Sequence, residues 1–562
     1  MNLSFSIVFA FLVSFSLAND VVVSVSGEKF FESDFYLDFQ KSTWDSADSL
    51  KKTQMVDEFL SQKVFSLEAA SVGLSNNPKV RRDAINKKNK LIIDEAYDVV
   101  AVAPLIPENL LVSAKQHLKK ERLVKHILLG FSGCKLPGDF SLTKEDALEK
   151  AVEIKNLFLS GVDFDLLVEE HSDDPGAKSG GGALGWFRWG QFEEPFQSAV
   201  FNSEVHKLSD PVLTKYGYHL VFVDGERPSV FSVLDSIYYG RASYINCKKF
   251  VSEDIPSAIN QYETSVLKDN HVVFNDGVVF SVFDELKSNS NHVSGRTQLS
   301  SGLNNVVGSP VICSINGKGY GPKWFADWLI RFSYAQRPNI SSVEELQGLF
   351  KTIILQRLIL DNGLDLGLFE DPFVQSEYNK YVDKALQVSF VEHIESSVNT
   401  PDSSDVVSYY DKNKGDKYYK GDEVVIREIK VETQSVADSL YGLLELGGSF
   451  DVLAKNNSLT NPENGGIVGP FPKGRYNKVG RKAFELGLFE FCKPFKNLNR
   501  TWSIVMPIEL LKDRYVPLAS VYENISAKLR DIKKEQDIND AFMSLKKRYG
   551  VTINNSIFEE GE

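Results

Sequence analysis

Apolar and polar residues alternate along ERLVKHILL (121–129), which predicts a strand with His126 on the same face as Val124 and Leu128. The period then changes. Thr143-x-x-Asp146 reads as a helix start, Leu148, Ala151, Val152, Leu157 and Phe158 recur at near-helical spacing, and Gly161 is placed to end the run. KYGYHLVFV (215–223) predicts a last strand, with His219 on a face with Val221 and Val223. Strand, helix, Gly-rich loop and strand make a compact α+β domain. VVVSVSGEKF (21–30) reads as a short strand ending near a turn glycine, and mixed-charge amphipathic stretches near 230–268 and 516–549 read as closing helices.

The pattern occurs twice. LSGVDFDLLVEEHS (159–172) is matched by ELGGSFDVLAKNNS (445–458), with Gly161/Gly447, Phe164/Phe450, Asp165/Asp451, Leu167/Leu453 and Ser172/Ser458 identical. Gly185/Gly469, Phe187/Phe471, Gly190/Gly474 and Ala199/Ala483 follow, then Pro211/Pro494, Asp254/Asp537, Ile255/Ile538 and Ala258/Ala541. VICSINGKGY (311–320) echoes the first strand segment. One register held through so many segments marks a tandem duplication, with copies at about 20–290 and 308–558.

Composition narrows the class. With 43% hydrophobic and 25% charged residues the 562-residue chain is ordinary globular protein, long enough for several domains. A net charge of -13 repels polyanions, so nucleic acid is excluded as a partner. Four cysteines, Cys134, Cys247, Cys313 and Cys492, lie far apart without a CxxC pair and indicate neither a zinc knuckle nor a disulfide scaffold. Residues 3–18, LSFSIVFAFLVSFSLA, carry no charge and end in the Ser16-x-Ala18 spacing of a cleaved secretion signal; the run falls short of the roughly 20 residues needed to span a bilayer. The mature chain is therefore expected outside the cytoplasm, without stable membrane insertion.

VKHILL, the helix before GVDFDLLVEEHSDDPGAKSGGGALGWFRWGQFEEPFQSAV, and DPVLTKYGYHLVFV resemble the parvulin family of peptidyl-prolyl isomerases in order, spacing and chemistry. The wider plan is similar to SurA-type and PpiD-type extracytoplasmic folding factors. The resemblance implies an α+β multidomain chain of two tandem units, each a mainly helical chaperone-like region plus a parvulin domain and a closing helix. Its expected divisions are a signal peptide (1–18), a helical region (19–120), a catalytic parvulin domain (121–228), a closing helix (229–285), a linker (286–307), a second helical region (308–417), a degenerate parvulin-like domain (418–512) and a C-terminal helix (513–562). Carried over residue by residue, the family's histidine pair falls on His126 and His219, the position beside the substrate carbonyl on Asp174, and the position bonded to the histidines on Thr214. Leu184, Phe192 and Phe196 wall the proline pocket, and Tyr216 stands at its edge. The implied activity is prolyl cis-trans isomerisation of unfolded or partly folded exported polypeptides, with no cofactor and no metal; a non-catalytic holdase is the alternative.

The remaining motifs are weaker. His126, His171, His206 and His219 lack the spacing of a zinc site. GGGALG has no following Lys-Ser/Thr and reads as a tight turn rather than a phosphate loop. Phe30, Phe31, Phe35, Tyr36 and Phe39 read as core rather than as a grip on clients, and Lys135 is the sole basic residue between Gly130 and Ser141, so phosphorylated clients are not implied. In the second copy Glu428 stands for His126, Thr460 for Asp174, Gly480 for Phe196 and Trp502 for His219, whereas Val468 and Tyr476 keep pocket character. Residues 418–512 are expected to keep the fold and lack catalysis.

Overall fold

The computed structural model describes residues 21–555 except 36–38, 40, 179, 233, 235, 290, 292 and 332–338. The expected signal segment and Tyr36 of the aromatic stripe lie outside the described residues. The chain divides into two compact units, one running to Glu392 and resumed from Phe542, the other His393–Ala541.

The first unit holds a four-stranded antiparallel sheet in the order Ala183–Arg188, Lys120–Leu129, Gly217–Pro228, Val212–Thr214. Alternation along the two central strands sends side chains to two separate cores. Val124, Val221 and Val223 pack with Phe187, Trp189, Phe196, Phe201 and the helices Glu108–His117 and Ser236–Lys248. Ile127, Leu129 and Leu220 pack with Ala147, Ala151, Ile154, Phe164 and Leu167. Thr143 and Asp146 form the expected capping box of the helix Lys144–Leu159, satisfying two of its free N–H groups. Its buried stripe is Ala147, Ala151 and Ile154, while Leu148 and Val152 are exposed; small residues let the helix lie close to the sheet, a preference the spacing of the larger residues conceals.

Three expectations are corrected. The closing segment 229–285 is three helices, Ser236–Lys248, Ile255–Asp269 and Asp276–Ser288, with the short strand Val273–Phe274 between the last two. Pro256 at the second helix's first turn has no N–H to continue an earlier helix. The expected linker 286–307 contains the helix Arg296–Asn305, in which Leu299 and Leu303, four residues apart, are fully buried. Its Ser300 is also buried and donates to Ala326 O at 3.2 Å; the small polar residues that suggest a linker instead allow close helix packing. Finally, Glu108–His117 belongs to the first parvulin-like core, since Leu110 and Ala114 are buried there with Trp189, so that domain begins before residue 121.

Phe30 and Phe35 of the aromatic stripe are buried against Phe59, 5.1 and 4.5 Å between ring centres. No single helix among the described residues is long and apolar enough to cross a membrane. In the second unit, Ile467–Pro472, Glu423–Val431, Trp502–Leu511 and Phe495–Lys496 form an antiparallel sheet with the strand order of the first. The helix Ser403–Lys417 packs there on the start of Leu518–Arg548 through Val406, Tyr410 and Ile525.

Candidate functional site

His126 lies directly across from Val221, and His219 from Leu128, so the two histidines are diagonal neighbours on one face of the sheet. Both are buried, and their Nδ1 atoms are 3.2 Å apart. His219 Nε2 lies 2.9 Å from Thr214 Oγ1, which the hairpin Val212–Thr214/Gly217–Pro228 presents from the edge strand. On the other side, His126 Nε2 lies 2.9 Å from Asp174 Oδ2. The four polar residues expected from the sequence therefore form one chain of hydrogen bonds: Thr214, His219, His126, Asp174.

The loop carrying Asp174 is fixed to the central strand by its neighbours. Asp173 N–H donates to Leu128 O at 2.7 Å, Gly130 N–H to Asp173 Oδ2 at 2.9 Å, and Leu128 N–H to Ser172 Oγ at 3.3 Å. Asp174 Oδ1 also accepts from Gly176 N–H at 2.9 Å. Gly182 completes the support: its carbonyl accepts from His126 N–H, and a Cβ at its φ of 77° would stand 2.5 Å from His126 O. Only glycine permits that approach.

Proton placement follows from these contacts. The bond from His126, offset in part by burial and strengthened by Gly176, holds the Asp174 carboxyl down to about 2, so it accepts from His126. Burial, together with nearby His126, pushes His219 down to about 3, so its ring is neutral near pH 7. With the His219 ring neutral, one set of tautomers satisfies every contact: Thr214 O–H to His219 Nε2, His219 Nδ1–H to His126 Nδ1, and His126 Nε2–H to Asp174. The tautomers are assigned from this network. The Asp174 carboxylate sits at its more exposed end.

Phe196, almost fully buried, stands edge-on over the pair, its ring centre 5.0 Å from that of His219 and 5.9 Å from that of His126. Phe192 is 42% exposed and lies 5.6 Å from Phe196. It stacks at 4.1 Å on buried Phe187, which the sequence reading identified as a repeated position and not as part of the site. Leu184 packs at the edge of the same apolar cluster. Tyr216 is 40% exposed and joins the polar chain through its backbone, donating to Thr214 Oγ1 at 3.1 Å, rather than through its phenol. The result is a partly open aromatic slot floored by hydrogen-bonded imidazoles, with a carboxylate at its edge. Among the described residues no group of three or more His, Cys, Asp or Glu is placed to hold a metal.

The second sheet shows what has changed. Glu428 N–H donates to Gly466 O as His126 does to Gly182, and Lys430 N–H to Ser458 Oγ as Leu128 does to Ser172. In that register Ser503, paired with Lys430, is the counterpart of His219. The expected pairing with Trp502 is one residue out; since side chains alternate along a strand, Trp502 belongs to the opposite face, packed against the core around Ile429 and Leu440. Ser503 donates to Glu428 Oε1 at 2.5 Å, and Asn497 Nδ2 to Ser503 Oγ at 2.7 Å. The helices Glu194–Asn202 and Asn477–Glu485 start from the caps Glu193 and Tyr476, so Val479, buried in the second core, takes the place of Phe196, one residue from the expected Gly480. Further along this sheet a groove of about 840 Å³ is lined by Tyr419, Val424, Phe484, Leu488, Pro507 and Leu510.

Comparison with known proteins places the first of these sites in a family. Residues 110–227 match the PPIC-type PPIASE domain family, and the chain carries a parvulin domain there. The foldase protein PrsA of Geobacillus kaustophilus is 39% identical over 99 residues, 17% of this chain and 34% of that protein. The chaperone SurA of Methylococcus capsulatus is 39% identical over 100 residues, 18% of this chain and 20% of that protein. The chain thus spans about a third or less of the length of these two relatives. A solved structure described with the SurA-like chaperones of Campylobacter jejuni is 23% identical, with a TM-score of 0.26, covering 42% of this chain and 98% of that one.

Proposed function

We propose that this chain is an extracytoplasmic peptidyl-prolyl cis-trans isomerase and chaperone, with catalysis in the first parvulin domain. The observation that carries the proposal is the unbroken chain Thr214, His219, His126, Asp174 beneath Phe196. Amide resonance sets a barrier of roughly 18–20 kcal/mol to rotation about the peptide bond, and X-Pro bonds isomerise over tens to hundreds of seconds. Neither a nucleophile nor a covalent step is needed to lower it. An apolar slot that strips water from the amide favours the less dipolar twisted state, and each 1.4 kcal/mol or so of differential stabilisation gains about tenfold in rate.

Each part has a role in that scheme. Phe192, Phe196 and Leu184 take the proline ring, and Tyr216 bounds the slot. His126 and His219, held in fixed tautomers, keep a constant field beneath it. Asp174 biases the carbonyl's charge as the bond twists. The foldase and chaperone names of PrsA and SurA support exported, unfolded polypeptides as the substrate class, and the signal-like segment 1–18 agrees with that location.

In the second unit a carboxylate replaces an imidazole and the slot's central ring is absent, so we assign that domain to binding or architecture. The test is isomerisation of an X-Pro peptide panel by the full chain and by His219→Ala. Acceleration by the first and not the second supports the reading. A chain that protects unfolded clients from aggregation equally well in both forms, without accelerating isomerisation in either, is a holdase instead.

A further inference from the structure

The two copies do not close on themselves. In one three-stranded sheet the first copy's hairpin, Val21–Val25 and Glu28–Phe31, takes its third strand, Thr552–Ile553, from the end of the second copy. In the other, the second copy's hairpin, Cys313–Ile315 and Lys318–Tyr320, takes Val273–Phe274 from the end of the first. The bonds correspond position by position. Ser26 N–H donates to Tyr549 O at 2.7 Å and Asn316 N–H to Asn270 O at 2.9 Å; Asn554 N–H donates to Val22 O and Asn275 N–H to Ile312 O, both at 2.9 Å. Both hairpins turn on two residues of positive φ, Ser26-Gly27 and Asn316-Gly317, the geometry of a two-residue hairpin loop.

The helices obey the same rule. Ser49–Ser71 and Pro78–Ala96 are joined by the turn GLSNNPKV (73–80), and Val343–Asp365 and Pro372–Ser397 by GLFEDPFV (367–374). Each long helix packs on the non-equivalent helix of the other copy. Phe65 meets Phe390 at 5.4 Å and Lys63 pairs with Asp383 at 3.2 Å. Reciprocally, Gly363 lies against Ile92 and Ala96, so closely that a Cβ would come 2.5 Å from Ile92. All of these contacts lie within the first compact unit.

We infer that the chain is two copies of one folding unit locked together by reciprocal exchange, so that the hairpin and long helices of each copy form a docking surface whose partner is the C-terminal segment of a second copy. The register supports this independently of the helices. The sheet bonds equate Asn270 with Tyr549 and Asn275 with Asn554, a constant separation, on segments that each end one copy and pair with the other. The same bonds would be available within a copy, Val21–Val25 to Val273–Phe274, so the exchange is a choice between equivalent partners.

The experiment uses the full chain with a protease site inserted between Val307 and Gly308, outside any helix or strand, where Val307 is 82% exposed. After cutting, the two pieces are expected to elute as one species of full mass and to keep the isomerase activity of the uncut chain. Separation of the pieces under native conditions overturns the inference. A second variant tests exchange directly: Ser24→Cys with Thr552→Cys, positions paired across the first sheet, is expected to oxidise to a link that keeps the cut chain at full length in denaturing, non-reducing electrophoresis. If Ser24→Cys links instead to Val273→Cys within one piece, each copy closes on itself and the exchange is refuted.

Discussion

Thr214→Val isolates the polar chain from the slot above it. Threonine and valine have nearly the same shape, and Thr214 is buried, so the substitution keeps the volume and removes the hydroxyl. Three contacts are lost: the 2.9 Å contact to His219 Nε2, the 3.1 Å bond from Tyr216 N–H and a longer one to Gly217 O at 3.5 Å. Leaving a buried polar group without a partner costs about 1–3 kcal/mol, which sets the expected loss of stability in denaturant unfolding. The effect on rate is separate. With its acceptor nitrogen unpaired, His219 is free to exchange tautomers, and the one-way sequence of bonds to Asp174 is no longer fixed. A loss of about 1.4 kcal/mol in transition-state stabilisation lowers kcat/KM about tenfold. The assay is isomerisation of an X-Pro peptide at neutral pH, with Thr214→Ser as the control that keeps the hydroxyl and its bonds and lacks only a methyl group. Serine is expected to stay within about twofold of the parent. A valine variant that folds and retains parent kcat/KM would refute the positioning role of Thr214; an equal loss in both variants would show that packing, not the hydroxyl, matters.

Acid is expected to weaken the first parvulin domain before its carboxylates titrate. Burial lowers His219 to about 3 in the folded chain, so between that value and about 6.5 the unfolded state binds the extra proton. Its contribution is complete above pH 6.5 and is lost as pH falls toward 3, at up to about 1.4 kcal/mol per pH unit; amide protection in Gly217–Pro228, taken relative to the intrinsic exchange rate at each pH, should fall from pH 7 to pH 5, and unchanged protection would contradict the neutral buried ring of His219. Phe192→Ala removes an exposed ring stacked on Phe187, so KM for X-Pro peptides should rise severalfold with little change in Tm; a large fall in Tm with unchanged KM would place Phe192 in the core instead. Glu428→Ala leaves Ser503 Oγ without its acceptor in a buried site, which should destabilise the second unit by about 1–3 kcal/mol and leave kcat/KM intact; a tenfold fall in kcat/KM would show that the second domain contributes to catalysis.

The site was legible because its chemistry is carried by side chains at fixed places on long strands. His126 and His219 sit in long ten- and twelve-residue strands, where alternation assigns the face, and Asp174 in its loop and Phe196 in the helix Glu194–Asn202 follow from motifs that keep their order. Less legible were elements set by packing at a distance. Val212–Thr214 has three residues, too few for a period. Leu299 and Leu303 reveal the helix Arg296–Asn305 only once its buried neighbours are known, because Ser, Asn and Gly dominate the segment's composition. Trp502 was paired with His219 at the spacing set by Pro211/Pro494, yet the one-residue correction to Ser503 moves the position to the other face of the sheet. Pairing of Asp254, Ile255 and Ala258 with Asp537, Ile538 and Ala541 errs in the opposite sense: it lies four residues, about one helical turn, from the register of the sheet bonds, so sequence matching kept the helix face and shifted its place along the axis.

These two errors bear on how the duplicated domains diverged. Exchanging His126, His219 and Thr214 for Glu428, Ser503 and Asn497 changes every polar side chain beneath the slot, yet each sheet keeps a connected hydrogen-bonded group there: Thr214 to His219 to His126 in one, Asn497 to Ser503 to Glu428 in the other. The position opposite Leu128 or Lys430 must be polar because the group facing it is polar and buried, and an unpaired partner would cost about 1–3 kcal/mol. Satisfaction of buried groups therefore constrains the three positions together and leaves the identity of the cluster free. The slot above it follows a different constraint. Phe196 contributes a ring over the histidines, whereas its counterpart Val479 has none, a change that leaves the strand order of the sheet intact. The fold depends on a polar group being satisfied; isomerisation, as proposed, also requires that group to be an imidazole pair covered by rings. Only the first copy meets both conditions, so the sheet can be retained after the chemistry has been lost.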